Sequence, residues 1–279
     1  MRYDVRITSL PAFLRAHGLK PNPDWGQHFL IDPSVLRDLI AHADLSRSDT
    51  VVEIGAGIGV LTKELLAHVD RVIAIEVDRR WTALLEEFVG PQHLLEKRLT
   101  IIQGNALKIP YPEEPYKIVA NIPYHITSHL FKHVFLHIEN RPQSLTILVQ
   151  REVADKICAT KRDQTRTILS NFIEIFGEPT YVRTVPPGAF LPPPGVDSAI
   201  IHVECFKTPK AEGPLLDAVL RILSQAFGKK RKMLRRSLGK FHGGMERLEA
   251  ASIAPQRRPE TLSVDEWIAL AKVGLEDEH

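Results

Sequence analysis

Along the first two thirds of the chain, short apolar runs rich in β-branched residues alternate with stretches whose apolar positions recur every three or four residues. "TVVEI" (50–54), "RVIAIEV" (71–77), "LTIIQ" (99–103), "YKIVA" (116–120) and "SLTILVQ" (144–150) are of the first kind. "VLTKELLAHV" (60–69), "RWTALLEEFV" (80–89) and "SHLFKHVFLHI" (128–138) are of the second. Runs that are apolar at nearly every position predict strands covered on both faces. Their alternation with amphipathic helices predicts an α/β fold built on a mostly parallel sheet. A proline-rich loop, "VPPGAFLPPPGVDSA" (185–199), precedes one more strand, "IIHVECF" (200–206). The segment "KTPKAEGP" (207–214) has linker composition. Beyond it, "LLDAVLRILSQAFGKKRKMLRRSLGKF" and "SVDEWIALAKVGL" read as purely helical. The pattern divides the chain into a first domain over residues 1–208, with an N-terminal arm at 1–30, and an all-α domain over 209–279.

Composition narrows the class without naming a chemistry. With 279 residues, 44% hydrophobic and 25% charged, the chain has an ordinary globular balance and enough length for a full core. A net charge of only +2 means that any affinity for nucleic acid must come from how the charge is distributed. The two cysteines, Cys158 and Cys205, show neither pairing nor metal-ligand spacing, which suits a reducing cytosol and predicts no metal. The N-terminal stretch lacks a signal-like apolar run, and no segment approaches the ~20 apolar residues that cross a bilayer. A soluble cytoplasmic protein is expected.

Candidate chemistry gathers at strand ends. "VVEIGAGIGVLT" (51–62) sets Gly55, Gly57 and Gly59 where the first strand turns into a helix, and glycines let the backbone approach a ligand there. Glu76 ends the next strand, where a carboxylate can accept both hydroxyls of an adenosine ribose. These features fit a nicotinamide dinucleotide or S-adenosylmethionine. The G-x-G-x-G spacing and the acidic Glu53 beside it favour the second, because a carboxylate would repel a pyrophosphate but suits a sulfonium and an ammonium. Asn105, in "QGNA" (103–106), offers an amide to an adenine edge.

The fourth strand ends in "NIPY" (121–124). The exocyclic N6 of adenine is a poor nucleophile because its lone pair is delocalised into the ring. Two acceptors on its N–H bonds, the Asn121 side-chain carbonyl and a backbone carbonyl at Ile122 or Pro123, would favour a pyramidal nitrogen. Proline fixes φ and restricts Ile122, holding that carbonyl in place. Tyr124 offers a stacking face worth ~1–3 kcal/mol.

At these residues the chain resembles a known family. "GQHFLID" (26–32), "VVEIGAGIGVLT", "IE" (75–76), "GNAL" (104–107), "NIPYHIT" (121–127), "VQREVADKI" (149–157), "FLPPPGVDSAI" (190–200) and "RPETLSVDEW" (258–267) are similar to the ribosomal RNA adenine N6-dimethyltransferases, in the family's order. Within that family they most resemble the small-subunit enzymes of KsgA/RsmA type. The resemblance implies a Rossmann-like, seven-stranded S-adenosylmethionine-dependent methyltransferase domain followed by a small all-α C-terminal domain. It implies dimethylation of two adjacent adenosines in the hairpin loop near the 3′ end of 16S rRNA, within the small subunit or its precursor, by a monomer. It also implies roles for single residues. Gln27 contacts the donor with His28 and Leu30 beside it, and Gly55 and Gly57 line its amino-acid part. Glu76 takes the ribose and Asn105 the adenine, with Val77 and Ala106 also contacting the donor. Asn121 serves both donor and target base, and Phe190 covers that base opposite Tyr124. Asn105 stands where the family usually has aspartate, and "KPNPDW" (20–25) has one basic residue, Lys20, where many members are lysine-rich.

Two basic clusters are candidate RNA contacts. "KKRKMLRRSLGK" (229–240) holds Lys229, Lys230, Arg231, Lys232, Arg235, Arg236 and Lys240; Lys156, Lys161, Arg162 and Arg166 form a second. Rival readings are the sister enzymes that dimethylate 23S rRNA and confer macrolide resistance, a non-catalytic ribosome-assembly factor, and a dinucleotide oxidoreductase.

Overall fold

The computed structural model describes residues 10–160, 166–228, 232–239 and 243–276. In chain order the elements are α1 (Leu10–Ala16), β1 (Phe29–Leu30), α2 (Pro33–His42), β2 (Thr50–Ile54), α3 (Val60–His68), β3 (Arg71–Glu76), α4 (Arg79–Val89), α5 (Gln92–Leu95), β4 (Leu99–Gln103), β5 (Tyr116–Asn121) and α6 (Thr127–Leu136). There follow β6 (Ser144–Gln150), α7 (Arg151–Ile157), α8 (Ile168–Phe176), β7 (Gly177–Val185), β8 (Phe190–Leu191) and β9 (Ser198–Cys205). The chain closes with α9 (Gly213–Phe227), α10 (Leu234–Ser237), α11 (Gly244–Ala250) and α12 (Val264–Glu276).

Seven strands form one sheet in the order β4-β3-β2-β5-β6-β9-β7. The pairs β2–β3, β3–β4, β2–β5 and β5–β6 are parallel and β6–β9 is antiparallel. All five residues of β2 are buried, as expected for a central strand covered on both faces. The order reverses between β2 and β5, so the carboxyl ends of β2, β3, β4 and β5 open toward one crevice. The core of this sheet collects Val51, Val72, Leu61, Leu65, Trp81, Leu85, Phe29 and Phe190.

Helix starts follow from local capping. Asp32 precedes α2 and accepts from the Ser34 and Val35 amides, with Pro33 opening the helix. Asp78 does the same for α4 through the Arg80 amide.

The described residues cluster into two compact units: those up to Ala154 with Thr180–Glu204, and Asp155–Pro179 with Cys205 onward. The second unit thus takes up 155–179, which the 1–208 division assigned to the first. Its helices bury Leu223, Leu234 and Trp267. Its α8 begins with a capping box between Thr167 and Ser170. Arg166 is buried there. It donates to the Ala159 carbonyl (3.0 Å), to Asn171 Oδ1 (2.7 Å) and to both carboxylate oxygens of Glu174. The expectation that Arg166 belongs to an RNA-facing patch is therefore corrected: its charge is spent internally. Lys161 and Arg162 lie outside the described residues.

Three further differences have physical reasons. Strand β7 escaped the periodicity because it is an edge strand with polar positions and Pro179 within it, which a sheet edge tolerates. The proline-rich loop contains β8, which pairs antiparallel with β1 (Phe29 with Leu191, Leu30 with Phe190). The long helical run after the linker breaks after Phe227 rather than continuing to residue 241. Among the described residues no helix is long and apolar enough to cross a membrane.

Candidate functional site

The crevice is a cavity of about 570 Å³ lined by the carboxyl ends of the parallel strands and by the segment that precedes β1. Ile54, Gly55 and Gly57 come from the β2–α3 turn, Ile75, Glu76 and Val77 from the end of β3, and Gly104, Asn105 and Ala106 from the end of β4. Asn121 and Pro123 come from the end of β5, and Gln27 and His28 close another wall. The sequence-predicted donor residues Gln27, His28, Gly55, Gly57, Glu76, Val77, Asn105, Ala106 and Asn121 thus meet in one place.

The glycine turn is built for close approach. Gly57 sits at φ +57°, and a Cβ there would stand 2.5 Å from the Phe29 ring. Its N–H donates to Glu76 Oε2 at 2.8 Å, and the Asp78 N–H donates to Oε1 at 2.8 Å. Each carboxylate oxygen retains a lone pair for a ribose hydroxyl. Burial raises the Glu76 pKa, and the backbone amides of Asp78, Gly57 and Val77 oppose the rise. Val77 is 63% exposed, an apolar side chain on the cavity wall suited to the face of a purine. Asn105 turns its Oδ1 back to the Leu107 amide (2.9 Å), so its Nδ2 is the end available to a ring nitrogen. Trp81 also lines the cavity, and its buried indole N–H has no partner among the described residues. A ribose acceptor, an apolar purine wall, amide donors and a close backbone turn together fit an adenosine-bearing ligand.

At the other wall, Asn121 Nδ2 donates to the His28 carbonyl at 2.8 Å. Only the NH₂ end of the amide can face a carbonyl, so this bond fixes the orientation and leaves Oδ1 with no hydrogen-bond partner among the described residues. The Pro123 carbonyl accepts from the Ile126 amide (3.1 Å), whereas among the described residues no such turn bond reaches the Ile122 carbonyl. Of the two backbone acceptors considered from sequence, Pro123 is the one already engaged by a turn bond, while Ile122 is itself 2% exposed. Tyr124 donates to or accepts from Ser198 Oγ at 2.6 Å, and its ring lies 6.2 Å from that of His28, nearly parallel at 17°. Burial raises the pKa of its phenol. The His28 ring is itself anchored on the Pro192 carbonyl (2.8 Å).

Three expectations change. Phe190 is 2% exposed and packs in the core, and Leu30 opposite it in the β1–β8 pair is equally buried. Neither lines the cavity, because this pairing points both side chains into the core. The ring that faces Tyr124 is His28, not Phe190. Glu53 is also walled off. It is 2% exposed and accepts from the Thr62 hydroxyl at 2.5 Å, and burial pushes its pKa up to about 8. It holds β2 to α3 and offers no charge to a ligand.

Sequence reasoning missed Trp25, Asp78, Trp81 and His125. Gln27 Nε2 donates to Asp78 Oδ2 (2.8 Å), and Arg80 grips the same carboxylate (2.6 Å) while lying over the Trp25 and Trp81 rings. Arg80 is the main reason that the Asp78 pKa is lowered. The only local signal was Asp78 as a helix cap; the contact with Gln27 spans the sequence and leaves no periodicity.

Of the basic cluster in the second unit, Lys232, Arg235 and Arg236 are exposed, around a buried Leu234 that anchors α10. Lys229, Lys230, Arg231 and Lys240 lie outside the described residues.

The family model described as ribosomal RNA adenine dimethylase matches residues 18–274. A protein of Dehalococcoides mccartyi named ribosomal RNA small subunit methyltransferase A is 40% identical over 91% of this chain and 88% of its own length. A protein of the same name from Novosphingobium aromaticivorans is 37% identical over 96% and 99%. Among solved structures, a dimethyladenosine transferase from Plasmodium falciparum aligns with TM-score 0.73 at 25% identity, covering 88% of this chain and 98% of that one. The 23S rRNA methyltransferase ErmE aligns with TM-score 0.70 at 25% identity over the same shares. A matched family model over nearly the whole length and relatives of this identity establish that the chain belongs to the ribosomal RNA adenine dimethylase family.

Proposed function

We propose that this protein transfers methyl groups from S-adenosylmethionine to N6 of two adjacent adenosines in the hairpin loop near the 3′ end of 16S rRNA, leaving S-adenosylhomocysteine. The observation that carries the chemistry is the Asn121 amide at the cavity wall, whose NH₂ end is held by the His28 carbonyl while its oxygen has no hydrogen-bond partner among the described residues. That oxygen and the Ile122 carbonyl accept the two N–H bonds of the adenine amine and draw its lone pair out of conjugation. Tyr124, its hydroxyl pinned by Ser198, gives the base a face to stack on, with His28 beside it. Glu76 accepts the ribose hydroxyls of the donor, Val77 and Ala106 flank its adenine, Asn105 donates to that ring, and the Gly55–Gly57 turn admits its amino-acid part. Bound there, S-adenosylmethionine supplies an electrophilic methyl group. The protein's own contribution is alignment and charge placement, with no strong general base. The target base must leave its stack to reach Asn121. Lys232, Arg235 and Arg236 add phosphate contacts from the second unit.

The choice of the small subunit is supported by the shared name of the curated relatives. The substrate is 16S rRNA within the small ribosomal subunit or its precursor, met in the cytoplasm by a monomer. The likeness to ErmE keeps 23S rRNA as a second reading. Undermethylated small and large subunits are incubated with labelled donor and the label is mapped. Label on adjacent small-subunit adenosines is expected, and label on the large subunit alone would favour the second reading. Asn121→Ala should lower turnover by about 10²-fold or more; near-normal turnover would remove the amide from the reaction.

A further inference from the structure

A target adenosine that reaches Asn121 from solvent must bring its neighbouring nucleotides across the rim of the cavity. That rim runs on into α6. Of the 12 histidines in the chain, His125, His129, His133 and His137 recur every four residues, a spacing that aligns side chains along a helix face. His125 lies in the short 3-10 turn before α6 and lines the cavity, and His129, Lys132 and His137 are exposed. No Asp or Glu occurs between residues 124 and 138. Among the described residues none of the four histidines forms an ion pair.

His133 differs from the others. Half-buried, it lies 5.9 Å from the Tyr111 ring and 6.0 Å from His137, and burial, then His137, holds its pKa below the usual histidine value. It packs rather than projects. The remaining side chains present N–H donors from imidazole and ammonium groups with no carboxylate among them, a surface suited to phosphate oxygens. Among the described residues no three His, Cys, Asp or Glu side chains gather closely enough to hold a metal ion, so the stripe is not built as a metal centre.

We infer that the surface formed by His129 and Lys132 of α6 and by His137 just after it carries the phosphates of the RNA strand flanking the target adenosine, with His125 the member nearest the cavity. This rests on RNA being the substrate. The test uses the full chain, undermethylated small subunits and labelled donor. The double variant His129→Ala/His137→Ala should raise the KM for subunits roughly tenfold, the loss of two hydrogen bonds, with kcat and donor affinity unchanged. The double variant His129→Lys/His137→Lys should recover that KM. It should also steepen the fall of log affinity with log salt by about 1.5, near the 0.7–0.9 expected per phosphate. An unchanged KM in the first variant with an unchanged salt slope in the second overturns the inference while labelling by the wild type leaves the methyltransferase reading intact. Altered donor affinity in the alanine variant also overturns it, since the histidines would then act through the fold. A wild type that labels no subunit would instead overturn the methyltransferase reading on which the inference stands.

Discussion

Replacing Glu53 by Gln should make the protein more stable, and by an amount that depends on pH. Glu53 stands on the central strand β2, 2% exposed, with the Thr62 hydroxyl donating to it at 2.5 Å. Burial, reinforced by the nearby charge of Glu76, moves its pKa from an ordinary 4.5 up to about 8. The folded protein therefore binds this proton more tightly than the unfolded chain does. The site costs nothing below about pH 4.5, costs more as pH rises from there to 8, and levels off above. At about 1.4 kcal/mol per pH unit, the full penalty is on the order of 5 kcal/mol. Gln keeps an acceptor for Thr62 and nearly the same shape but never ionises. Urea unfolding of both proteins from pH 5 to 9 should show a gap near zero at the acid end, widening toward pH 8 and then constant. A gap independent of pH, or a Gln variant less stable at pH 9, would refute the picture of a buried neutral carboxyl.

Two other expectations can be checked by binding measurements. Glu76 accepts hydroxyl groups best as a carboxylate, and burial raises its pKa, so donor affinity should strengthen as pH climbs through that raised value; titration calorimetry from pH 5 to 8 reads it, and Glu76→Gln should flatten the profile. Changing Lys232, Arg235 and Arg236 to Gln should weaken binding to small subunits and reduce the salt slope by about two, and an unreduced slope would separate these residues from the RNA.

Much of the first unit was legible because a parallel sheet imposes a strong pattern. Strands buried on both faces cannot hide their apolar runs, and β2, β3, β4, β5 and β6 all appeared within a residue of their observed bounds. The same pattern located the glycine turn, Glu76 and Asn121, since ligands gather where such strands end. It was silent on β7, an edge strand whose polar positions carry no period. Side-chain direction also lay beyond it. Glu53 is only two residues before Gly55, yet its carboxyl is buried against the Thr62 hydroxyl of α3 rather than open to the cavity, a tertiary contact that the strand pattern does not announce. Phe190 and Leu30 were misassigned because β1 and β8 pair across 160 residues of chain, and nothing local announces that pairing. Gln27 with Asp78, and Trp25 with Arg80, are contacts of the same kind.

The carboxamide at position 121 has to do opposite things at its two ends. One end gives a hydrogen to a main-chain oxygen 93 residues away, and the other, on the function proposed above, must remain an electron-pair donor toward the incoming base. Aspartate would repel that main-chain oxygen and let the preceding segment slacken. Serine or threonine has one polar atom and cannot reach both ways at once, and glutamine carries the same group a methylene too far. Asparagine alone combines the two polarities in a rigid plane of the right length, so this position should tolerate no exchange at all.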